Sequence, residues 1–209
     1  MGKRLLPNGA KLMILSDLKL TGNQMNQLGV SHEYEIHKFV YSLFPGPVDK
    51  KRDFLYVKKY DKFRRVVIRI LSQRNPTAPD YGILQCRRIP MRYLEHQEYN
   101  FTVKVNPARR KHKTLEKYPI IDHDELVEWF INKSLLNGMM VDQYSLEIRD
   151  RGITRIYKPD STIVLNKATF VGRFRVTNQE LFKDAFIKGF GQAKAYGFGL
   201  LEIKPAELM

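Results

Sequence analysis

Hydrophobic and polar positions along this chain change period several times, and each change marks an element. From Lys11 to Leu20, Leu12, Ile14, Leu18 and Leu20 mix with polar positions as in a half-buried strand. Ile36, Phe39, Val40, Leu43 and Phe44 then recur at i, i+3, i+4, i+7 and i+8, the core face of an amphipathic helix. Ser31 stands where an N-cap is expected, and Pro45-Gly46-Pro47 ends the pattern. Asp53 to Lys59 and Val66 to Leu71 read as strands joined through Tyr60-Asp61-Lys62-Phe63. Asn75 to Pro79 is loop material, and another strand is expected around Ile83 to Arg88.

A second round begins near Glu98. Tyr99, Phe101, Val103 and Val105 alternate with polar residues, and a basic loop runs from Asn106 to Lys117. A helix is expected from about Asp124 to Leu136, with Asp122 as N-cap, Glu125 completing a capping box and Gly138 as the stop. Val141 to Ile148, Ile153 to Tyr157 and Thr169 to Val176 read as strands. Thr177 and Glu180 fit a capping box for a last helix whose apolar face is Leu181, Phe182, Ala185 and Phe186. Gly189 ends that helix, and Gly199 to Ile203 is a closing strand.

Strand, helix, strand, strand, irregular segment, strand therefore occurs twice, the β-α-β-β-α-β pattern of ferredoxin-like units. The expected class is α+β with two tandem ferredoxin-like (RRM-like) domains. Residues 1–97 would carry the helix around His37, and residues 98–209 a basic hairpin and a glycine-rich loop. The second helix of the first half is weakly marked. The aromatic signature of RNA-recognition motifs is absent from both halves, and the fold alone does not define an activity.

Charge narrows the picture. The 209 residues carry a formal net charge of +14, and the excess is uneven. Residues 1–97 hold 18 Lys/Arg against 8 Asp/Glu, and residues 98–209 hold 18 against 14. Such an excess favours polyanionic partners. The single Cys86 excludes an internal disulfide, fits a reducing cytoplasm and reads as a small buried apolar residue. The basic N-terminus has no apolar h-region and does not read as a signal peptide, and no run approaches the ~20 apolar residues of a membrane span. No membrane partner is expected.

The segment Gly189 to Gly199 holds four glycines and Lys194. It fits neither a dinucleotide fingerprint, because no strand precedes it and Lys194 takes the third glycine position, nor a Walker loop, because Gly-Lys-Ser/Thr is missing. Two readings remain: a backbone, at Gly191 and Lys194, that approaches phosphate, or a tight connection whose glycines supply positive φ.

On the first helix, at ~100° per residue from Ile36, His37, Tyr41 and Tyr34 fall at roughly 100°, 140° and 160°. They form a stripe beside the core face, with Lys38 further round. Histidine suits proton transfer near neutrality, and tyrosine hydroxyls can orient a ribose 2′-OH or donate to a phosphate. The same stripe also fits a half-exposed histidine at a helix edge. His32, His96, His112 and His123 have no partners at useful spacing, and no cluster has metal-ligand spacing, so neither metal nor cofactor is expected. Arg109, Arg110, Lys111 and Lys113 form one basic cluster. Arg149, Arg151, Arg155 and Lys158 form another, read as a hairpin with Asp150-Arg151-Gly152 at its tip. Both suit phosphates and base edges.

Four segments together resemble the CasE family of CRISPR-associated endoribonucleases of type I-E systems. Tyr34-Glu35-Ile36-His37, running on to Leu43-Phe44-Pro45-Gly46, resembles the family's catalytic helix. Phe101 to Pro107 is similar to its strand ending in Ala-Asn-Pro, and the helix with Trp129 to its middle helix. Phe170 to Thr177, followed by Gly189 to Leu201, resembles its glycine-rich signature, with Gln192 where a small or basic residue is expected. The resemblance implies metal-independent cleavage of CRISPR repeat precursor RNA at the 3′ base of the repeat stem-loop, leaving a 2′,3′-cyclic phosphate and a 5′-hydroxyl. It implies proton transfer by His37 with help from Tyr34, and retention of the mature crRNA within the Cascade complex beside other subunits. A non-catalytic RNA-binding subunit that caps a guide RNA hairpin is the alternative.

Overall fold

In the computed structural model, residues 12–46, 52–110 and 117–206 are described. The basic N-terminal lead-in, Lys111 and Lys113 lie outside them. Four strands, β1 (Met13–Leu20), β2 (Phe54–Tyr60), β3 (Val66–Ser72) and β4 (Ile83–Ile89), make a sheet of order β2-β3-β1-β4 with antiparallel neighbours. Helices α1 (Gly22–Gln27) and α2 (Glu33–Ser42) connect β1 to β2. The second sheet has the order β11-β5-β10-β8, built from β5 (Glu98–Val105), β8 (Met139–Val141), β10 (Ser161–Val176) and β11 (Leu201–Pro205). Strand β9 (Glu147–Lys158) pairs with β10 as well. A short pair, β6 (Ala108–Arg110) and β7 (Lys117–Pro119), stands apart. Helices α3 (His123–Leu135) and α4 (Gln179–Lys188) complete the second unit. Both sheets follow the ferredoxin-like strand order, so the chain is α+β with two ferredoxin-like units in tandem.

Alternation along the strands divides the core. Leu18, Leu20, Phe54, Tyr56, Ile68 and Ile70 are buried with Ile36, Val40 and Leu43 of α2. The opposite face of the same sheet presents Met13, Leu55, Val57, Leu71 and Ile89 to the second unit, where they join Phe101, Phe170, Phe186, Leu200 and Leu201. Phe130 of α3 stacks on Phe170 with ring centroids 4.0 Å apart. Such a pair contributes about 0.5–1.5 kcal/mol beyond the area it buries. Arg69 ties the units together with two bonds to Asp17 at 2.7 Å and one to Glu202 at 2.6 Å.

Several local expectations are corrected. The weakly marked second helix of the first half is absent, and residues 73–82 connect β3 to β4 without one. The polar stretch after Thr21 is helical instead, because Thr21 and Gln24 form a reciprocal capping box. His32, not Ser31, is the N-cap of α2, since the Glu35 carboxylate takes the backbone N–H groups of Ser31 at 2.6 Å and His32 at 2.9 Å. Asn178 displaces Thr177 as cap of α4, its side-chain oxygen accepting from the N–H of Glu180 and Leu181. The Thr177 N–H is already committed to Gly138 O. Leu181 is largely exposed, and Cys86 is exposed rather than buried, accepting from the buried Ser16 hydroxyl. Asp150-Arg151-Gly152 is not a hairpin tip. These residues pair with Lys167 to Thr169 inside the ladder, and the turn falls at Pro159-Asp160.

Candidate active site

Helix α2 lays its apolar face on the first sheet, which leaves the stripe Tyr34-His37-Tyr41 at its edge. The stripe meets the connection from α4 to β11, where a 3-10 turn spans Lys194–Tyr196. His37 is half-buried there, with its ring 4.3 Å from that of Tyr41, 5.0 Å from Tyr196 and 6.1 Å from Tyr34. Its Nδ1 lies 2.7 Å from Ala195 O. A carbonyl only accepts, so Nδ1 carries the proton, and the neutral ring keeps Nε2 as its lone-pair nitrogen. Burial holds the His37 pKa below the ordinary imidazole value. The Ala195 carbonyl opposes that, and the charges of Lys158 and Arg52 add to it.

Ala195 O also accepts from the Tyr56 hydroxyl at 3.1 Å, and burial raises the Tyr56 pKa, which keeps it a donor. The histidine tautomer is therefore set by a backbone carbonyl that is itself braced from β2. The glycines make this turn possible. Gly199 has φ +79°, and a Cβ there would stand 2.4 Å from Phe190 O. At Gly197, with φ +78°, a Cβ would press on the Tyr56 ring at 3.0 Å. Of the two readings of this segment, the geometry shows the tight connection at these positions. Gly191 differs, since a Cβ there would meet nothing within 4 Å.

The structure sorts the basic residues. Lys158 gathers at the histidine, its Nζ 5.9 Å over the Tyr196 ring. Arg52 acts on His37, Tyr56 and Lys194 alike, and its Nε is buried with no hydrogen-bond partner among the described residues. Lys194 is half-buried, its pKa lowered by burial and by Arg52, Lys133 and Lys188. Lys38 is exposed on α2 with Nζ 5.7 Å over the Tyr34 ring. Arg149, Arg151 and Arg155 are exposed on β9, and Arg149 meets Glu147 at 3.1 Å. Arg109 is engaged by Glu128 at 3.4 Å and Glu125 at 3.9 Å, so the second box partner of Asp122 is turned to an arginine. Arg110 lies on β6. Among the described residues no three His, Cys, Asp or Glu side chains are grouped to hold a metal. No helix among them is long and apolar enough to cross a membrane.

Sequence reasoning missed Tyr56, Tyr196 and the Ala195 carbonyl. Tyr56 reads as one core residue of a strand, and a carbonyl leaves no trace in residue type. Arg52 is visible only as one cation in a basic run.

These features define a class: a tandem ferredoxin-like protein with one histidine set among tyrosines and cations where a helix meets a glycine-rich turn. A family model described as CRISPR associated protein matches residues 13–205. The chain belongs to that family. No curated protein sequence matches it. Solved structures similar in fold include two of Cse3, one described as a CRISPR endoribonuclease bound to 19-nucleotide RNA and one from Thermus thermophilus bound to an RNA representing a pre-cleavage complex. Both have TM-score 0.81 and 18% identity, covering 93% and 92% of this chain and 100% and 99% of theirs. Cas6e from Escherichia coli K-12 follows at TM-score 0.71 and 17% identity, covering 92% of this chain and all of its own. A chain of a CRISPR RNA-guided surveillance complex matches at TM-score 0.66 and 14% identity, covering 92% of this chain and 100% of its own.

Proposed function

We propose that this chain is a metal-independent endoribonuclease that cuts CRISPR repeat precursor RNA at the 3′ base of the repeat stem-loop and then stays on the mature crRNA as a Cascade subunit. The observation that carries the reading is the bond from His37 Nδ1 to Ala195 O at 2.7 Å, which leaves Nε2 as a base in a site of tyrosines and cations. Fold similarity to RNA-bound Cse3 and to a surveillance-complex chain supports the choice of RNA and of partners.

In this reading Nε2 takes the 2′-OH proton as the 2′-oxygen bonds to phosphorus. The bond from phosphorus to the 5′-oxygen breaks, and that oxygen takes a proton from water. The products are a 2′,3′-cyclic phosphate and a 5′-hydroxyl. Lys158 and the Nε–H of Arg52, which has no partner among the described residues, offset the charge that builds on the phosphate. The Tyr34 hydroxyl orients the 2′-OH. Arg149, Arg151 and Arg155 along β9, with Lys38, Arg109, Arg110, Lys111, Lys113, Gly191 and Lys194, hold the RNA backbone.

His37→Ala should slow single-turnover cleavage by about 10²–10⁴-fold while hairpin affinity stays nearly unchanged. Cleavage should persist in EDTA and vanish on RNA with one 2′-deoxy at the scissile nucleotide. Cutting of the deoxy RNA would rule out attack by the 2′-OH. A protein that binds the hairpin and cuts nothing would be the RNA-capping subunit instead.

A further inference from the structure

We infer that the cavity between the β6–β7 pair, β10 and the Lys194–Tyr196 turn is a nucleobase pocket, which receives the base of a nucleotide adjoining the scissile phosphate. The identity of the strand rests on the endoribonuclease reading. The pocket itself rests on its lining.

The cavity encloses about 450 Å³, and its walls include Asn106, Tyr118, Val164, Asn166, Gln192 and Tyr196. Among the described residues, none of its lining side chains is charged. Three carboxamides line it, and each offers both donors and an acceptor, the combination that reads base edges. Two tyrosines supply faces on which a base can stack. The Asn166 amide is held by its Nδ2–H bond to Ile120 O at 3.3 Å, so one reader is oriented before any ligand arrives. Tyr118 is 38% exposed, which leaves its ring accessible at the cavity.

Position links this cavity to the chemistry. Tyr196 is a shared wall, lining the cavity and also lying 5.0 Å from the His37 ring and 5.9 Å below Lys158 Nζ. A strand whose phosphate sits at His37 and Lys158 can therefore turn its neighbouring base past Tyr196 into the cavity. A pocket there selects where the RNA is cut, because the base must be unstacked from the stem to enter. Base pairs inside the stem resist that, and the junction at its foot yields.

The test uses the full chain and its repeat hairpin RNA, with 2-aminopurine or an abasic residue placed in turn at the two nucleotides flanking the scissile phosphate. At one of them, binding should quench 2-aminopurine fluorescence, and Tyr118→Ala should reverse most of the quenching. An abasic residue at that position should slow cleavage by wild-type protein roughly 10-fold, in line with the loss of one stacked base. Tyr118→Ala and Gln192→Ala should slow the parent RNA and leave the rate on the abasic RNA unchanged. No fluorescence change at either position, or equal slowing of parent and abasic RNA by both variants, would overturn the pocket. Quenching without any cleavage would leave the pocket standing and overturn the endoribonuclease reading alone.

Discussion

Replacing Lys158 by methionine isolates the electrostatic part of the site. Lys158 Nζ lies 5.9 Å from the Tyr196 ring, and that ring lies 5.0 Å from His37, so the two steps bound the charge at about 11 Å from the imidazole. Coulomb's law gives about 0.4 kcal/mol at that distance in water and about 1.5 kcal/mol at an effective dielectric of 20. His37 is half-exposed, which favours the lower part of this range. A positive neighbour disfavours the imidazolium, so the wild-type histidine titrates below its ordinary value, and removing the charge raises its pKa. Cleavage that needs neutral His37 should be lost as pH falls through that pKa. The acid limb of kcat/KM, measured below saturation so that it reports the free enzyme, should start below 6.5 in wild type. It should move up by about 0.3–1 pH unit in Lys158→Met. Nuclear magnetic resonance titration of the His37 ring in free protein checks the same number without RNA. In the proposed mechanism the rate should also drop in this variant, because a phosphate contact is lost, but the midpoint is independent of that loss. A midpoint that stays put or moves to lower pH would refute the reasoning, as would a wild-type His37 titrating above 6.5.

The remaining expectations concern the scaffold. Gly199→Ala forces a Cβ to 2.4 Å from Phe190 O at a positive φ, so urea unfolding should show a loss of about 3 kcal/mol or more, and cleavage should fail with it. Gly191→Ala meets open space and should cost only about 1 kcal/mol for its positive φ. Arg69→Ala strips Asp17 and Glu202 of a shared partner between the units and should lower stability by about 1–3 kcal/mol in the same assay. Burial alone would raise the Asp17 pKa, but hydrogen bonds and charge from Arg69 outweigh it and hold the pKa below 3.8. A depressed carboxylate stabilises the fold above its unfolded pKa, so that contribution should disappear as pH falls below about 4, and Arg69→Ala should flatten this limb.

Much of the architecture was legible because it depends on local periodicity. The i, i+3, i+4 run of α2, the alternation of β5 and the stops at Pro45 and Gly138 are written in residue type, since burial of one face demands them. Caps were less legible where neighbouring residues can each begin the helix. Ser31 lost to His32, where the Glu35 carboxylate folds back onto the N–H groups of Ser31 and His32, and Thr177 lost to Asn178, whose amide oxygen takes the N–H groups of Glu180 and Leu181. The hairpin tip was misplaced at Gly152 because a glycine marks a possible turn, while the register of a long ladder is decided by all its cross-strand partners together.

His37, Tyr34 and the glycine segment stood out in the chain as separate features: a helical stripe, a turn composition and a family likeness. Their relation did not. Residues 37 and 195 are joined by a bond between a ring nitrogen and a backbone carbonyl, and no side-chain pattern encodes a carbonyl's direction. That direction comes from the packing of α4, the Lys194–Tyr196 turn and β2, with Tyr56 bracing the same oxygen. The sequence by itself determined a basic tandem ferredoxin-like chain with a histidine stripe. Tertiary structure alone decided that the glycine turn orients the histidine, that Lys158 and Arg52 act on it, and that a cavity lined by carboxamides and tyrosines adjoins Tyr196. The bond from His37 to Ala195 joins residues far apart in the chain, and it exists only once the two units have packed.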